Sequence, residues 1–234
     1  MTIRRRPKAT ATSEPHAGDA EHGLDFERLL FFSDAVFAIA ITLLIIDVRL
    51  PELPDSATDA DVIAGVRATL PSIFAYVLSF ATIGLYWLAH WRRYRHVIAA
   101  NERLVALNLV LLALIAFIPF PTGLIGEHGD IAAAVVIYAV SLSAAGIAGP
   151  LTWLYAWRAG LVHAAVTASY ARYVALRGFS VPVVMLGSLV LLPLIGTTGV
   201  ELSWLLIIPV QLSMNRLLHV REPGPMHDVD PSRA

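Results

Sequence analysis

Cysteine is absent from the 234-residue chain, which removes disulfides, thiolate nucleophiles and cysteine metal ligands from consideration. Charge is also scarce: Asp, Glu, Lys and Arg make up 15% of the residues, where a soluble domain carries roughly a quarter. The net charge of -1 gives no footing for a nucleic-acid partner. The histidines show no metal-ligand spacing, and His96, His163 and those of the tails read as interfacial or solvated. An intramembrane hydrolase would need a nucleophile with a base or two carboxylates at one depth, and Asp34 and Asp47 are separated by about 20 Å along a helix axis, too far to form a catalytic dyad within one chain. No catalytic residue, metal or cofactor is therefore assigned.

What remains is apolar. Hydrophobic residues are 57% of the chain, and they fall into six long runs, at about 29–48, 70–91, 104–121, 131–157, 179–197 and 200–218, each of a length that spans a bilayer as a helix. Proline or glycine near the ends (Pro71, Pro119, Pro121, Gly149, Pro150, Gly178) supports most of these limits. The chain reads as an all-α polytopic membrane protein of one domain: a disordered cytoplasmic tail at 1–25, a six-helix domain at 26–220 and a carboxy-terminal cytoplasmic tail at 221–234. The stretch 158–177 fits either an interfacial amphipathic segment or an extension of its neighbours. Four arginines and lysines open the chain, but the acidic stretch that follows (Glu14, Asp19, Glu21, Asp25, Glu27) separates them from the first apolar run, unlike an export signal.

Orientation follows from lysine and arginine asymmetry. With the amino terminus inside, the inner segments hold 5, 4, 3 and 3 of the 17 such residues, and the outer segments hold only Arg49 and Arg67. Both termini are thus expected in the cytoplasm. The outer loops are acidic, with Glu52, Asp55, Asp59, Asp61, Glu127, Asp130 and Glu201.

The first span, "RLLFFSDAVFAIAITLLIID", carries Ser33 and Asp34 near its inner end. A carboxylate at membrane depth costs at least about 2.5 kcal/mol, so it must face protein or water. The topology brings His90, at the inner end of span 2, and Asn108, near the inner start of span 3, to the same shallow layer. Ser33, Asp34, His90 and Asn108 are therefore expected to satisfy one another inside one chain. On a helical wheel Ile39, Thr42, Leu43 and Ile46 form a stripe about 100° wide, and Asp34 lies about 140° from Ile39. One face suits anchoring; the other presents branched aliphatics and one hydroxyl. Ala35, Ala38 and Ala40 permit close helix approach.

The pattern Arg28-xxx-Phe32-Ser33-Asp34 followed by "AVFAIAITLLIID", together with "LYWLAHWRRYRH" at 85–96 and "NLVLLALIAFIPFPTGLIGEHG" at 108–129, resembles the transmembrane protein 175 family of potassium-permeable channels. The likeness covers roughly the first 130 residues. It implies one six-helix repeat per chain, as in prokaryotic members, since "FSD" occurs once. It further implies a homotetramer with span 1 lining a central pore, narrowed at Ile39, Leu43 and Ile46, with Thr42 as a polar pore-lining position. Arg28, Phe32, Ser33, Asp34, His90 and Asn108 correspond to the family's structural network. Arg28 is six residues from Asp34 and so off its face; Phe32 is its nearer helical neighbour.

Asp47 is a candidate for a carboxylate ring at the outer mouth, or else a solvated helix end beside Arg49. An aliphatic constriction offers potassium no replacement for its water ligands, so it must pass a partly hydrated ion, and selectivity over sodium is expected to be modest. The implied partners are potassium ions, other copies of the chain and the lipid of a cell membrane. The competing class is a secondary transporter or proton-coupled carrier, for which Pro182, Pro193 and Pro209 allow kinks, although no inverted repeat is visible.

Overall fold

A computed structural model describes residues 17–217 of the chain; the carboxy-terminal tail expected at 221–234 and the first 16 residues lie outside it. The helices are α1 (Ala17–Leu43, continued by a 3-10 turn, Leu44–Asp47), α2 (Asp59–Ala68), α3 (Leu70–Tyr94), α4 (Glu102–Phe117), α5 (Pro119–His128), α6 (Ala132–Arg158), α7 (Ala168–Gly178), α8 (Ser180–Val190), α9 (Leu192–Ser203, followed by a 3-10 turn, Trp204–Leu206) and α10 (Ile207–Leu217). Among the described residues there is no strand, only an isolated antiparallel bridge between Val97 and Val162.

Among the described residues six stretches are long and apolar enough to cross a membrane: Phe26–Asp47, Leu70–Tyr94, Glu102–His128, Ala132–Arg158, Ala168–Val190 and Leu192–Gln211. Six alternating crossings leave both ends of the described chain on one side. That side carries Arg92, Arg93, Arg95, Arg103, Arg158 and Arg177, and the other carries Arg49, Arg67 and the acidic loops.

Three boundaries differ from the sequence reading. α1 begins at Ala17, inside the segment assigned to the tail; alanine at its start and acidic residues in its first turns suit a helix N-terminus. The outer loop contains α2, whose start is fixed by a reciprocal cap: Thr58 Oγ1 accepts from Asp61 N, and Asp61 Oδ2 accepts from Thr58 N at 2.8 Å. These bonds favour the charged carboxylate and hold the Asp61 pKa below its usual value. The ambiguous stretch resolves into a loop and α7, which continues through Phe179 into α8 as one crossing. α7 starts after Thr167, whose side chain accepts from Tyr170 N and so caps the helix.

Between spans 5 and 6 the chain turns back at Gly196, the break within α9, with φ 69° and ψ 179°. Trp204 Nε1 donates to Ser188 Oγ, and Gln211 Nε2 to Ser180 Oγ. Both pairs are nearly symmetric about position 196, as an antiparallel hairpin requires. The expected limit at 197 thus falls within a residue of the reversal.

The third span is divided at Ile118 into α4 and α5, where Pro119 and Pro121 remove helical donors. Thr122, just beyond, meets Ser79 of α3 at 2.8 Å, and Ser79 meets Tyr138 of α6 at 2.9 Å. Buried hydroxyls thereby tie three spans in the apolar interior, where an unpaired one would be costly. Around them pack Phe37, Leu44, Ile83, Ile115, Met185 and Trp204. A second cluster, with Tyr94, Leu104, Trp153 and Tyr170, closes the arginine-rich end.

Candidate functional site

α1 has two unlike faces, and the periodicity of the sequence sets them. Leu29, Ser33, Phe37, Ala40 and Leu44 recur at helical spacing and are all buried. Ala40 is the small residue that packs inward; Ala35 and Ala38 are exposed.

The buried face is clamped by a polar network. Ser33 Oγ donates to the Leu29 carbonyl at 2.8 Å and accepts from Asn108 Nδ2 at 2.9 Å. Asn108 Oδ1 in turn meets His90 Nε2 at 2.9 Å and accepts from Tyr94 Oη at 3.0 Å. The His90 ring stacks on Tyr94 with centroids 4.2 Å apart, and the Phe37 ring lies tilted against it at 5.5 Å. Asn108 therefore uses both ends of its amide, so its orientation is determined, and three spans are joined through one side chain.

The structure brings together Ser33, His90 and Asn108, as the topology led one to expect, but not Asp34. Its side chain is exposed on the single chain, and its Oδ1 accepts from Trp87 Nε1 at 2.9 Å. The expectation that Asp34 faces its own subunit's interior is corrected. A carboxylate must avoid hydrocarbon, and an indole N–H at the flank of the helix meets that need without burial. Arg28 and Phe32 also lie on the exposed side and do not belong to the network. Tyr94 is the network member that sequence reasoning missed, and Trp87 is the partner it missed for Asp34. Their signal was present, since Trp87, His90 and Tyr94 recur at i, i+3 and i+7 on one face of α3.

The opposite face of α1 is open. Ile39, Leu43 and Ile46 are 58%, 41% and 52% exposed, with Thr42 exposed beside them. Thr42 Oγ1 donates to the Ile39 carbonyl at 2.9 Å, which directs its proton inward and leaves the oxygen able to accept from, or coordinate, something outside. Ile46 lies in the 3-10 turn. At about 120° per residue there, it stands over Leu43 and stays about 40° from Ile39, so the row is preserved.

Asp47 is half-buried, and its carboxylate leans on α5: a Cβ at Gly123 would stand 2.8 Å from Oδ2. It points away from the exposed row, which weakens its candidacy for an outer-mouth ring.

An all-helical polytopic membrane protein with one span clamped on a polar network, its other face apolar and unpartnered, is the class that fold and site define. Residues 28–119 match the family described as the endosomal/lysosomal potassium channel TMEM175, and over this part the chain is similar to that family. A potassium channel of Streptomyces collinus is 36% identical over 141 residues, 57% of this chain and 65% of that protein. The human endosomal/lysosomal proton channel TMEM175 is 37% identical over 120 residues, 49% of this chain and 24% of that one. The crystal structure of a lysosomal potassium-selective channel TMEM175 homolog from Chamaesiphon minutus superposes with a TM-score of 0.66 at 26% identity, covering 84% of this chain and 99% of that one. The alignment spans just under two thirds of the length of the bacterial relative.

Proposed function

We propose that the protein is a potassium-permeable cation channel of the cell membrane, a homotetramer in which four copies of α1 surround a central pore. The lysine and arginine asymmetry supports a cytoplasmic location for both termini. The observation that carries the reading is the outward row Ile39, Leu43 and Ile46 on a helix whose other face is fixed by Ser33, His90 and Asn108. A helix so built is held by its own chain while offering an apolar wall, with the Thr42 hydroxyl, to an axis between chains. Four such walls form a hydrophobic constriction through which an ion passes while still partly hydrated, and dewetting closes it. Potassium is preferred over sodium only modestly, since the ring supplies no fixed set of oxygens.

Reconstitution into liposomes under a potassium gradient tests this. Potassium efflux uncoupled from any solute, with slower sodium efflux, is the expected result. Counterflow that requires a co-substrate would replace the channel by a secondary transporter.

A further inference from the structure

A cavity of about 610 Å³ lies between α3, α6, α7, α8 and α10 at the arginine-rich end. Arg92, Arg93 and Arg177 line it, and among the described residues no acidic one does. Arg93 is buried, and its guanidinium enters through a notch in α6: a Cβ at Gly149 would stand 2.7 Å from Nη2. Arg177 is held by neutral groups, its Nε donating to Gln211 Oε1 at 3.2 Å and Gln211 reaching on to Ser180. Arg92 is close enough for its charge to act on Arg177. Like charges gathered against low-dielectric walls repel, and an anion between them offsets that cost.

The other part of the cavity is hydrocarbon. Leu85, Leu111 and Val181 line it, and it ends on Phe37 of α1. A small hydrated anion would leave this part unfilled. Leu88 and Ile208 belong both to the lining and to the exposed outer surface, so the cavity's rim reaches the face that lipid covers. Beyond Lys8 every fixed cation of the chain is an arginine, whose planar fork pairs with two phosphate oxygens at once.

We infer that this cavity is a binding site for a phosphate-bearing anionic lipid, with the phosphodiester between Arg92, Arg93 and Arg177 and an acyl chain directed along Leu85 and Val181 toward Phe37. It rests on the proposed orientation only in naming the leaflet: the arginine end faces the cytoplasmic side, whose leaflet carries acidic lipid. Because the acyl end touches Phe37, which packs on His90, occupancy bears on the buried face of α1.

The full-length protein, delipidated in detergent, is titrated with phosphatidylglycerol and with phosphatidylcholine of the same chains, and bound lipid is counted by native mass spectrometry. Phosphatidylglycerol is expected to bind one per chain in clear preference to phosphatidylcholine. Arg92→Gln with Arg177→Gln should weaken it about thirtyfold, at roughly three quarters of a decade per lost charge. The corresponding double lysine variant should weaken it less. Ala89→Leu fills the apolar part of the cavity without altering charge and should also weaken binding; it decides the matter if the double glutamine variant does not elute normally on gel filtration. Arg103→Gln, which removes a cation stacked on Tyr155 outside the cavity, should bind as the parent does. Equal binding of both lipids, or unaltered binding by Ala89→Leu and by a normally eluting double glutamine variant, would overturn the proposal. So would displacement of the lipid by glycerol phosphate at comparable concentration, which would make the site one for a free phosphate ester. None of these readouts depends on ion flux, so failure of the channel reading leaves them intact.

Discussion

At the residue scale, Asn108 is the side chain whose loss leaves most behind. Asn108→Ala deprives Ser33, His90 and Tyr94 of their common partner, and each stranded buried group costs about 1–3 kcal/mol. Asp34→Ala removes a single bond to Trp87 from an exposed carboxylate. Thermal melts in detergent are therefore expected to fall much further for Asn108→Ala than for Asp34→Ala; equal losses would return Asp34 to the network. Ser33, His90 and Asn108 were legible because topology alone sets their depth. Asp34 was misplaced because the rule that a charge avoids lipid cannot say whether it turns to its own interior or to an indole beside it. On the open face, Ile39→Asn replaces hydrocarbon walls by hydrated ones and should raise conductance while eroding potassium preference. Ile41 is partly buried against the core, so Ile41→Asn should lower stability with little change in preference. Single-channel currents and bi-ionic reversal potentials separate the two, and a leaky Ile41 variant beside an unchanged Ile39 one would mean that another face of α1 lines the pore.

Among the elements, the hairpin of spans 5 and 6 depends on one backbone conformation. Gly196 has φ 69° and ψ 179°, a region essentially confined to glycine, and a Cβ there would meet nothing within 4 Å. Gly196→Ala should cost about 1–3 kcal/mol through the backbone alone, seen as a lower melting temperature; an unaltered melt would show that the turn relaxes. The two loops at the arginine-rich end are joined as well, by Ile98 N to the Leu161 carbonyl and His163 N to the His96 carbonyl, each at 2.9 Å. His96 is buried beside Tyr170, and desolvation, with the charges of Arg95 and of His163, lowers its pKa below the usual value. The unfolded chain then binds the proton more readily, so stability is full above about pH 6.5 and declines as pH falls toward the depressed folded value. His96→Gln should flatten that part of a melting-temperature profile, and a profile unchanged by the substitution would place the titration elsewhere. Span number was readable from composition, but the pairing of these loops was not, since residues 97 and 162 carry no mutual signal in a single sequence.

For the whole molecule, the exposed row of α1 has consequences that one chain cannot absorb. Branched aliphatics at Ile39, Leu43 and Ile46 could face lipid, but the same exposed arc also carries Thr42 and Asp34, which hydrocarbon disfavours. Association around α1 shields both, and native mass spectrometry should find four chains per particle; a conducting dimer or monomer would remove the central pore. Fold class was legible throughout, whereas assembly came only through the family resemblance, because a helical wheel identifies an unpartnered face without naming what covers it.

The tight turn that ends α1 gives the outer part of that face a freedom the inner part lacks. Ser33 and Phe37 are pinned, while Leu44–Asp47 is wound more tightly than the helix below it. Were its three steps from Leu43 to Ile46 to relax to α-helical winding, Ile46 would swing by about 60° and the tip would retract by roughly 1.5 Å. The span thus works like the fine thread of a vernier: a small change of pitch at its end re-aims one ring of side chains while the clamped portion stays still.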